Sequence, residues 1–321
     1  DGPSVDSASV APNDAGLQND AAAVDTAPAP PPEPPSLTKC LEFDHDDVNA
    51  AKCDPVKGFF DWAIVSVAYA PDGKLVATAA DDGRVKLWNV TANGLQAQGR
   101  TFASNNAARV TFSPNGQLIA LGSDMGRLEL RNVGNGSQYA SLSGHTGRIR
   151  GVRFSPDGQK LVSLDGTAKT VRVWSVPDKV SLVEFGLPAE AWDMDLVAHG
   201  GKLWAAIALA NGHVFMLDVG AASVQLGVSA NEVMTCSNGP TYSVAWDATG
   251  AKLAVGCENG EVAEWTAANR FDVKRTSGFF PTLNENMEAR DVHGLVYAPG
   301  GRYVLGAVGD FTYGGEAYLW D

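Results

Sequence analysis

The phrase Phe154-Ser-Pro-Asp-Gly158 recurs along this chain, each time as an aromatic residue that leads into a turn centred on glycine. It is preceded by Tyr69-Ala-Pro-Asp-Gly73 and Phe112-Ser-Pro-Asn-Gly116, and looser copies follow at 196–200, 246–250 and 297–301. The turn glycines are 43, 42, 42, 50 and 51 residues apart. A unit of this length cannot bury its apolar residues alone, so neighbouring units must stack to make a core. The sequence therefore predicts one large repetitive domain.

Each unit reads as four short strands. In the third unit, residues 149–154 alternate between apolar and polar, and the Ser-Pro-Asp-Gly turn follows. Further strand-like runs lie at 160–164, 170–176 and 180–185. Alternating apolar residues bounded by Pro/Gly turns are typical of antiparallel strands. Four such strands in about forty residues make one blade of an all-β array.

Two units resemble WD40 repeats. One runs from Gly144-His145 to Trp174-Ser175, and the other contains Ser66-Val-Ala-Tyr-Ala-Pro-Asp-Gly73 and Val85-Lys-Leu-Trp-Asn89. The resemblance extends over roughly residues 60–321 and weakens after the third unit; only Trp320-Asp321 is a literal Trp-Asp pair, so this is a divergent member. The family implies an all-β propeller, here of six four-stranded blades, with seven less favoured. Such propellers are usually non-enzymatic platforms for protein partners.

The resemblance also implies a buried network of His, Ser/Thr, Asp and Trp in each blade. The third unit has His145, Ser163 and Trp174, but Ala168 occupies the position where the Asp is expected. We therefore expect an incomplete network, with a structural rather than a catalytic role.

The last unit ends at a third strand, with Trp320-Asp321. The remaining segment with strand character is Leu37-Thr-Lys-Cys-Leu-Glu-Phe43. We expect it to add as the fourth strand and close a six-bladed ring, because closure removes exposed sheet edges. The competing interpretation is a C-terminal truncation of a longer propeller.

Residues 1–36 have a different composition: no Lys or Arg, six acidic residues and eight of the seventeen prolines. Such a segment buries too little apolar surface to offset its ordering entropy. It is predicted to be a disordered acidic tail, with Pro28–Pro35 as an extended spacer. A segment that orders on binding a partner is the alternative. The predicted domains are thus 1–36, the tail, and 37–321, the propeller.

The formal net charge of -13 argues against nucleic-acid binding and against adsorption to anionic lipid. The acidic Ala/Pro/Asp-rich start resembles the spacers of exported bacterial proteins and lipoproteins. It predicts an extracytoplasmic protein, periplasmic or at the cell surface, in which a lipid anchor at the N-terminus would be the membrane contact. A cytoplasmic location is the alternative.

The four cysteines form two local pairs. Cys40 and Cys53 precede the first unit, whereas Cys236 precedes the first strand of the fifth unit and Cys257 ends its second strand. Two short-range disulfides are geometrically reasonable and would fit an oxidising compartment. Four free thiols in a cytoplasmic protein are the alternative.

The search for catalytic motifs is negative. The sequence has no Gly-x-Ser-x-Gly elbow, Walker loop or dinucleotide fingerprint, and its five histidines lack a metal-ligand spacing. The run Asp44-His45-Asp46-Asp47 could hold calcium but reads better as a solvated loop. We expect no cofactor, no metal and no catalytic residues.

In a WD40-like blade the loop before the first strand opens on the top face. Aligning the units on their turns predicts a rim of aromatic and charged residues there, the kind from which interface hot spots are drawn. The predicted rim residues are Trp62, Asn106, Arg148, Glu190, Trp192, Tyr242, Asp291 and His293. The alternative is that Trp62 and Trp192 pack between blades.

The last two units carry insertions longer than the repeat needs, and such loops often carry function. The predicted partner-binding residues of these insertions are Phe279, Phe280, Phe311 and Tyr313. A Phe-Phe pair that tucks under its own loop is the alternative.

The function that these features favour is a non-enzymatic protein–protein interaction scaffold, or an accessory subunit of a larger complex. It would dock through the top rim and the late insertions. A hydrolase or lyase on a propeller scaffold is one alternative, although the aligned units show no convergent carboxylates or histidines. A small-molecule or glycan-binding propeller is the other, since rim aromatics would serve it equally well.

Overall fold

The computed structural model describes residues 64–80, 82–92, 94–103, 107–220, 232–234, 236, 239–258, 260–266, 276–278, 291–298, 300–310 and 314–320. All of them belong to one compact unit. The predicted tail at 1–36 and the predicted closing strand at 37–43 lie outside the described residues, so both stay predictions.

The described chain is all-β, without helices, and forms six antiparallel sheets whose strands follow one another in chain order. Blades 1 to 3 consist of β1 (Ile64–Tyr69), β2 (Leu75–Ala80), β3 (Arg84–Thr91) and β4 (Gly94–Ala103); β5 (Ala107–Phe112), β6 (Leu118–Ser123), β7 (Leu128–Asn132) and β8 (Gln138–Leu142); and β9 (Ile149–Phe154), β10 (Lys160–Asp165), β11 (Thr170–Ser175) and β12 (Val180–Gly186). Blades 4 and 5 consist of β13 (Ala191–His199), β14 (Lys202–Leu209), β15 (His213–Asp218) and β16 (Glu232–Met234); and β17 (Thr241–Trp246), β18 (Lys252–Cys257), β19 (Val262–Thr266) and β20 (Thr276–Gly278). The sixth sheet consists of β21 (Asp291–Tyr297), β22 (Val304–Asp310) and β23 (Gly314–Trp320).

The arrangement is that of a β-propeller, but the described residues do not make up the predicted six four-stranded blades. In the described part of the chain, five sheets have four strands and the sixth has three. The sequence predicts residues 37–43 as the fourth strand of the last sheet, and these residues lie outside the described part of the chain. The all-β propeller class is confirmed, and the described residues form five complete blades.

The repeated turn requires its glycine. Gly73, Gly116 and Gly158 have φ of +68°, +70° and +68°, in the left-handed region that side chains with a Cβ rarely adopt. The acidic or amide residue before the glycine closes the turn: Asp157 Oδ1 accepts from the Gln159 amide at 3.0 Å. This local chemistry makes the repeat visible in the sequence.

The second strand of a blade is buried on both faces. In β2, β6, β10 and β18 the first residue is half-buried and the next five are buried. The cause is that apolar side chains fill the junction between each blade and the next one along the chain. The strand therefore reads as an apolar run rather than as an alternating one.

The first strand of each blade, here called the inner strand, has one edge without a strand partner. Side chains from the neighbouring blade satisfy part of that edge. Asp193 and Asp195 of blade 4 accept from the amides of Val244 and Trp246 in blade 5, at 3.2 and 2.9 Å. The Ser66 hydroxyl of blade 1 likewise accepts from the Val110 amide of blade 2 at 3.2 Å. These bonds tie consecutive inner strands together.

A buried polar group, here called the blade pin, fixes the loop before blade 3. His145 Nε2 lies 2.7 Å from Ser163 Oγ, which also accepts from Trp174 Nε1 at 2.7 Å. Contrary to the sequence expectation, a carboxylate is present: Asp165 Oδ2 lies 3.7 Å from His145 Nδ1. The backbone amide of Ala168 donates to Asp165 Oδ1 at 2.9 Å. Asp165 thus supplies a carboxylate beside His145 from the end of the second strand, although the 3.7 Å separation is too long for a hydrogen bond.

In blade 5 a disulfide lies at the position that the blade pin occupies in blade 3. Cys236 and Cys257 are bonded, as predicted. Cys257 pairs in register with Thr241, just as Asp165 pairs with Ile149 in blade 3. The covalent bond thus joins the loop before the blade to the end of its second strand, where blade 3 uses a hydrogen-bonded acid. Cys40 and Cys53, the other predicted pair, lie outside the described residues.

The two end blades expose apolar side chains that other blades bury. On β1, Val67 is 56% and Tyr69 64% exposed, whereas the equivalent Val152 and Phe154 of blade 3 are 0% and 8% exposed. On β21, Val296 is 55% exposed. The outer faces of the first and last blades are therefore uncovered in the described structure.

Candidate protein-binding surface

Every inner strand has one irregularity near its start. In blade 3, Asp165 pairs with Ile149 and Leu164 with Gly151, so Arg150 has no residue opposite it. A bulge of this kind re-aims the extra side chain. The residues at this position in blades 1 to 6 are Val65, Ala108, Arg150, Trp192, Tyr242 and His293.

The bulge residues of blades 3 to 6 contact one another in series and are here called the rim row: Arg150, Trp192, Tyr242 and His293. The Arg150 guanidinium lies 3.9 Å from the centroid of the Trp192 ring. The Trp192 and Tyr242 rings meet edge to face at 5.2 Å, and the Tyr242 and His293 rings are tilted at 5.0 Å. Cation–π and edge-to-face contacts of this geometry are favourable and hold the side chains in place.

One end of the rim row is positively charged. Arg109 Nε donates to the Arg150 carbonyl at 2.8 Å, and Arg148 pairs with Asp124 at 2.8 Å. Burial, together with the nearby Arg148 and Arg109 charges, lowers the pKa of Arg150 to about 10, against the partial opposition of Glu190 and Asp124. Arg150 stays protonated at neutral pH, so three guanidinium groups cluster at this end.

The other end is negatively charged. Burial raises the pKa of Tyr242, and the carboxylates of Asp291 and Glu258 raise it further, the latter through a hydrogen bond with the phenol. Asp291 Oδ2 also lies 3.8 Å from His293 Nε2. The rim row therefore runs from a basic end on blade 3 to an acidic end on blades 5 and 6.

The structure brings together three of the predicted rim residues, Trp192, Tyr242 and His293, with Asp291 beside them. Glu190 is exposed, and its carboxylate raises the pKa of Arg150 at the basic end of the row. Trp192 packs between blades 3 and 5 through its ring contacts, as the alternative interpretation expects, and it is half-buried. Its role in partner binding stays a prediction. Six other predicted residues lie outside the described part of the chain: Trp62, Asn106, Phe279, Phe280, Phe311 and Tyr313.

Sequence reasoning missed Arg150. It selected Arg148, which lies two residues earlier and pairs with Asp124 instead of joining the row. A signal was available: Arg150 lies four residues before the turn aromatic Phe154, as Tyr242 does before Trp246. Counting back from the aromatic residue rather than from the loop gives the bulge position.

Catalysis and metal binding both require particular side chains in known arrangements, with which the described residues can be compared. His145 and Ser163 form a close pair, but the side chains of His145 and Asp165 are 0% exposed and Ser163 is 0% exposed, so no substrate reaches them. Within the described ranges, no group of three His, Cys, Asp or Glu side chains is arranged to hold a metal ion. Among these same residues there is also no helix of the length and apolarity that a membrane span requires.

Comparisons with known proteins match two segments of the chain to a repeat family. A family model for the WD40 repeat, described as the WD domain or G-beta repeat, matches residues 52–89 and 136–175. An uncharacterized WD repeat-containing protein of Synechocystis sp. is 30% identical over 115 residues, which are 36% of this chain and 32% of that protein. Protein HIR1 of Yarrowia lipolytica is 29% identical over 129 residues, which are 40% of this chain and 10% of that protein. The chain therefore matches a third or less of the length of either relative.

Proposed function

We propose that this chain, two segments of which match the WD40 repeat, is a protein-binding module that docks a partner against the rim row. Proteins built from these repeats generally mediate protein–protein interaction and are typically not enzymes. The observation that carries the proposal is the continuous contact of Arg150, Trp192, Tyr242 and His293.

The residue types and their order support this function. Trp, Tyr and Arg are the side chains most often found at interface hot spots. The three separations of 3.9, 5.2 and 5.0 Å limit the row to about 14 Å, a length that one short peptide segment covers. Because these side chains already hold one another in place, they lose little conformational entropy when a partner binds.

The charge gradient along the row supports a defined orientation. A partner segment with an acidic group would meet Arg150, and a basic group would meet Glu258 and Asp291. Complementary charges of this kind determine orientation and association rate more than affinity. We therefore expect association to slow as salt concentration rises.

Alanine substitution in the rim row tests the proposal. The partner captured from the native source by wild-type protein is quantified against the Trp192→Ala and Tyr242→Ala variants. Loss of a hot-spot aromatic costs about 2 kcal/mol or more, so we expect affinity to fall at least about thirtyfold.

The control is Tyr303→Ala. Tyr303 also lies under an arginine, with Arg302 5.0 Å from its ring centroid, but in the turn between β21 and β22 at the opposite end of its blade. This variant should bind as wild type does. Equal loss in all three variants, or no loss in any, contradicts docking at the rim row.

The larger role is a subunit of an extracytoplasmic complex. What supports this location is the Cys236–Cys257 disulfide, since disulfides persist in oxidising compartments. Fractionation of the native source should recover the protein outside the cytoplasm, in an assembly larger than its own 33.6 kDa mass. Recovery as a cytosolic monomer would contradict both parts of this role.

A further inference from the structure

A second surface feature lies between blades 2 and 3, at the end of the blades where the Pro-Asn-Gly and Pro-Asp-Gly turns lie. It is an open groove of about 470 Å³, within the usual range of ligand sites. Its walls come from the turns before β6 and β10, and from Asn132 and Tyr139 at the β7–β8 connection. None of these residues belongs to the rim row.

The backbone of the groove is already hydrogen-bonded. The amides of Gln117 and Gln159 donate to Asn115 Oδ1 and Asp157 Oδ1, each at 3.0 Å. The carbonyls of the same two residues accept from Val133 and Val176, each at 2.9 Å. A ligand therefore finds no free strand edge here, and an extended peptide could not add as a further strand.

What the groove does offer is side-chain amides. In the described part of the chain, Asn115 Nδ2, the Gln117 amide and Asn132 Oδ1 have no hydrogen-bond partner, and Gln159 makes one long contact of 3.5 Å. Each free amide presents a donor, an acceptor or both. The groove is thus lined by several neutral groups that can pair with hydroxyls, which are themselves donors and acceptors at once.

The remaining lining restricts the ligand further. Within the described chain, Asp157 is the one charged side chain lining the groove, and the Ser155 hydroxyl lowers its pKa by donating to it. An anionic ligand would meet a carboxylate and is disfavoured. Leu118 and Val176 provide apolar surface for carbon-bound hydrogens, and Tyr139 provides the ring face that does not carry the Lys179 ammonium, whose Nζ lies 4.3 Å from the ring centroid.

We propose that this groove binds a neutral saccharide, of about the size of a disaccharide, through the amides of Asn115, Gln117 and Gln159 and the carboxylate of Asp157. The sugar hydroxyls pair with these groups, and the C–H faces of the ring lie on the apolar wall. The single aromatic residue in the groove does not match the rows of aromatic side chains that take proline-rich peptides.

Titration of the ¹⁵N-labelled full chain with cellobiose, maltose and N,N′-diacetylchitobiose tests the proposal. Side-chain amide resonances report binding at the groove directly. We expect at least one disaccharide to shift those of Gln117 and Gln159 saturably, with a Kd of about 1 mM. Gln117→Ala and Gln159→Ala should each weaken it about fivefold, because each removes hydrogen bonds without touching the core.

Gln138→Ala is the matched control, since Gln138 is an exposed glutamine of the same blade that does not line the groove. It should bind as wild type does. Three results would overturn the proposal: no saturation with any of the three sugars, equal weakening in the control, or saturable binding of a neutral Gly/Pro peptide in place of the sugars.

Discussion

His145 is a neutral imidazole inside the protein. Burial lowers its pKa to about 4, and the nearby Asp165 carboxylate opposes this shift only in part. Its Nε2 lies 2.7 Å from the Ser163 hydroxyl, which in turn holds the Trp174 indole. Protonation would place an extra charge in a buried site, so the pin depends on the neutral form.

This residue makes folding stability sensitive to acid. The folded pKa of about 4 lies below the unfolded value of about 6.5, so the unfolded state takes up the proton first. The contribution is complete above the unfolded pKa and is lost as pH falls toward the folded pKa. Between about pH 7.5 and about pH 5, His145 should lower the free energy of unfolding by about 2 kcal/mol.

Urea denaturation at the two pH values measures this effect. His145→Gln removes the titrating group, so the variant's stability should fall less between them, whatever its stability at neutral pH. The same pH dependence in both proteins would mean that other groups cause it.

The Cys236–Cys257 bond should contribute substantially to stability. It closes a loop with a sequence separation of 21, for which loss of chain entropy in the unfolded state amounts to about 3 kcal/mol. The Cys236→Ala/Cys257→Ala variant should unfold at correspondingly lower urea concentration under non-reducing conditions. Unfolding at the same concentration as wild type would show that the bond does not constrain the unfolded chain.

Single-residue roles were only partly predictable from the sequence. The cysteine pair was found because both residues flank strands of one unit. Asp165 was missed because the family pattern places the acid at position 168, which is Ala168. In the structure, the carboxylate beside His145 comes from the end of the second strand. That arrangement depends on how the loop folds back, which repeat spacing does not encode.

At the level of elements, inner strands are held by side chains of the adjacent blade. Asp195 accepts from the Trp246 amide at 2.9 Å and from Arg153 Nε at 3.1 Å, and so joins blades 3, 4 and 5. Asp195→Ala leaves both donors without this acceptor, and we expect a loss of about 2–3 kcal/mol.

Asp195→Asn is the informative comparison. It keeps an oxygen for the Trp246 amide but removes the charge that faces Arg153, so its loss should be smaller than that of Asp195→Ala. Thermal or urea unfolding measures both. A loss below about 0.5 kcal/mol for Asp195→Ala would contradict the assigned role, since that is the range of surface substitutions without a specific role.

Strands and turns were predictable because their chemistry is local. The left-handed glycines and the Asp or Asn before them recur at a fixed distance from the turn aromatic, and each strand follows from its turn. The inner-strand bulges were not predictable in this way. A bulge, where two residues oppose one, can be located only when the pairing with the second strand is known. The sequence alone therefore indicated Arg148 and not Arg150.

For the molecule as a whole, closure of the ring stays a prediction. The apolar faces of β1 and β21, with Tyr69 64% and Val296 55% exposed, are uncovered in the described structure. The segment 37–43, predicted to complete the last sheet, lies outside the described residues. If closure depends on it, deletion of 37–45 should abolish cooperative unfolding, because an open array leaves its end blades supported on one side.

Deletion of 10–27, within the predicted tail, is the control and should leave the unfolding transition unchanged. An unchanged transition after deletion of 37–45 would refute closure by this segment.

The central claim is that partners bind at the rim row. A photoreactive p-benzoylphenylalanine placed at position 293 tests it most directly, with the same residue at position 303 as the reference for the opposite end of the blade. The account predicts that, after irradiation in the native source, one protein is cross-linked from position 293 and not from position 303. Cross-linking of that protein from position 303 alone, or equally from both positions, would contradict it.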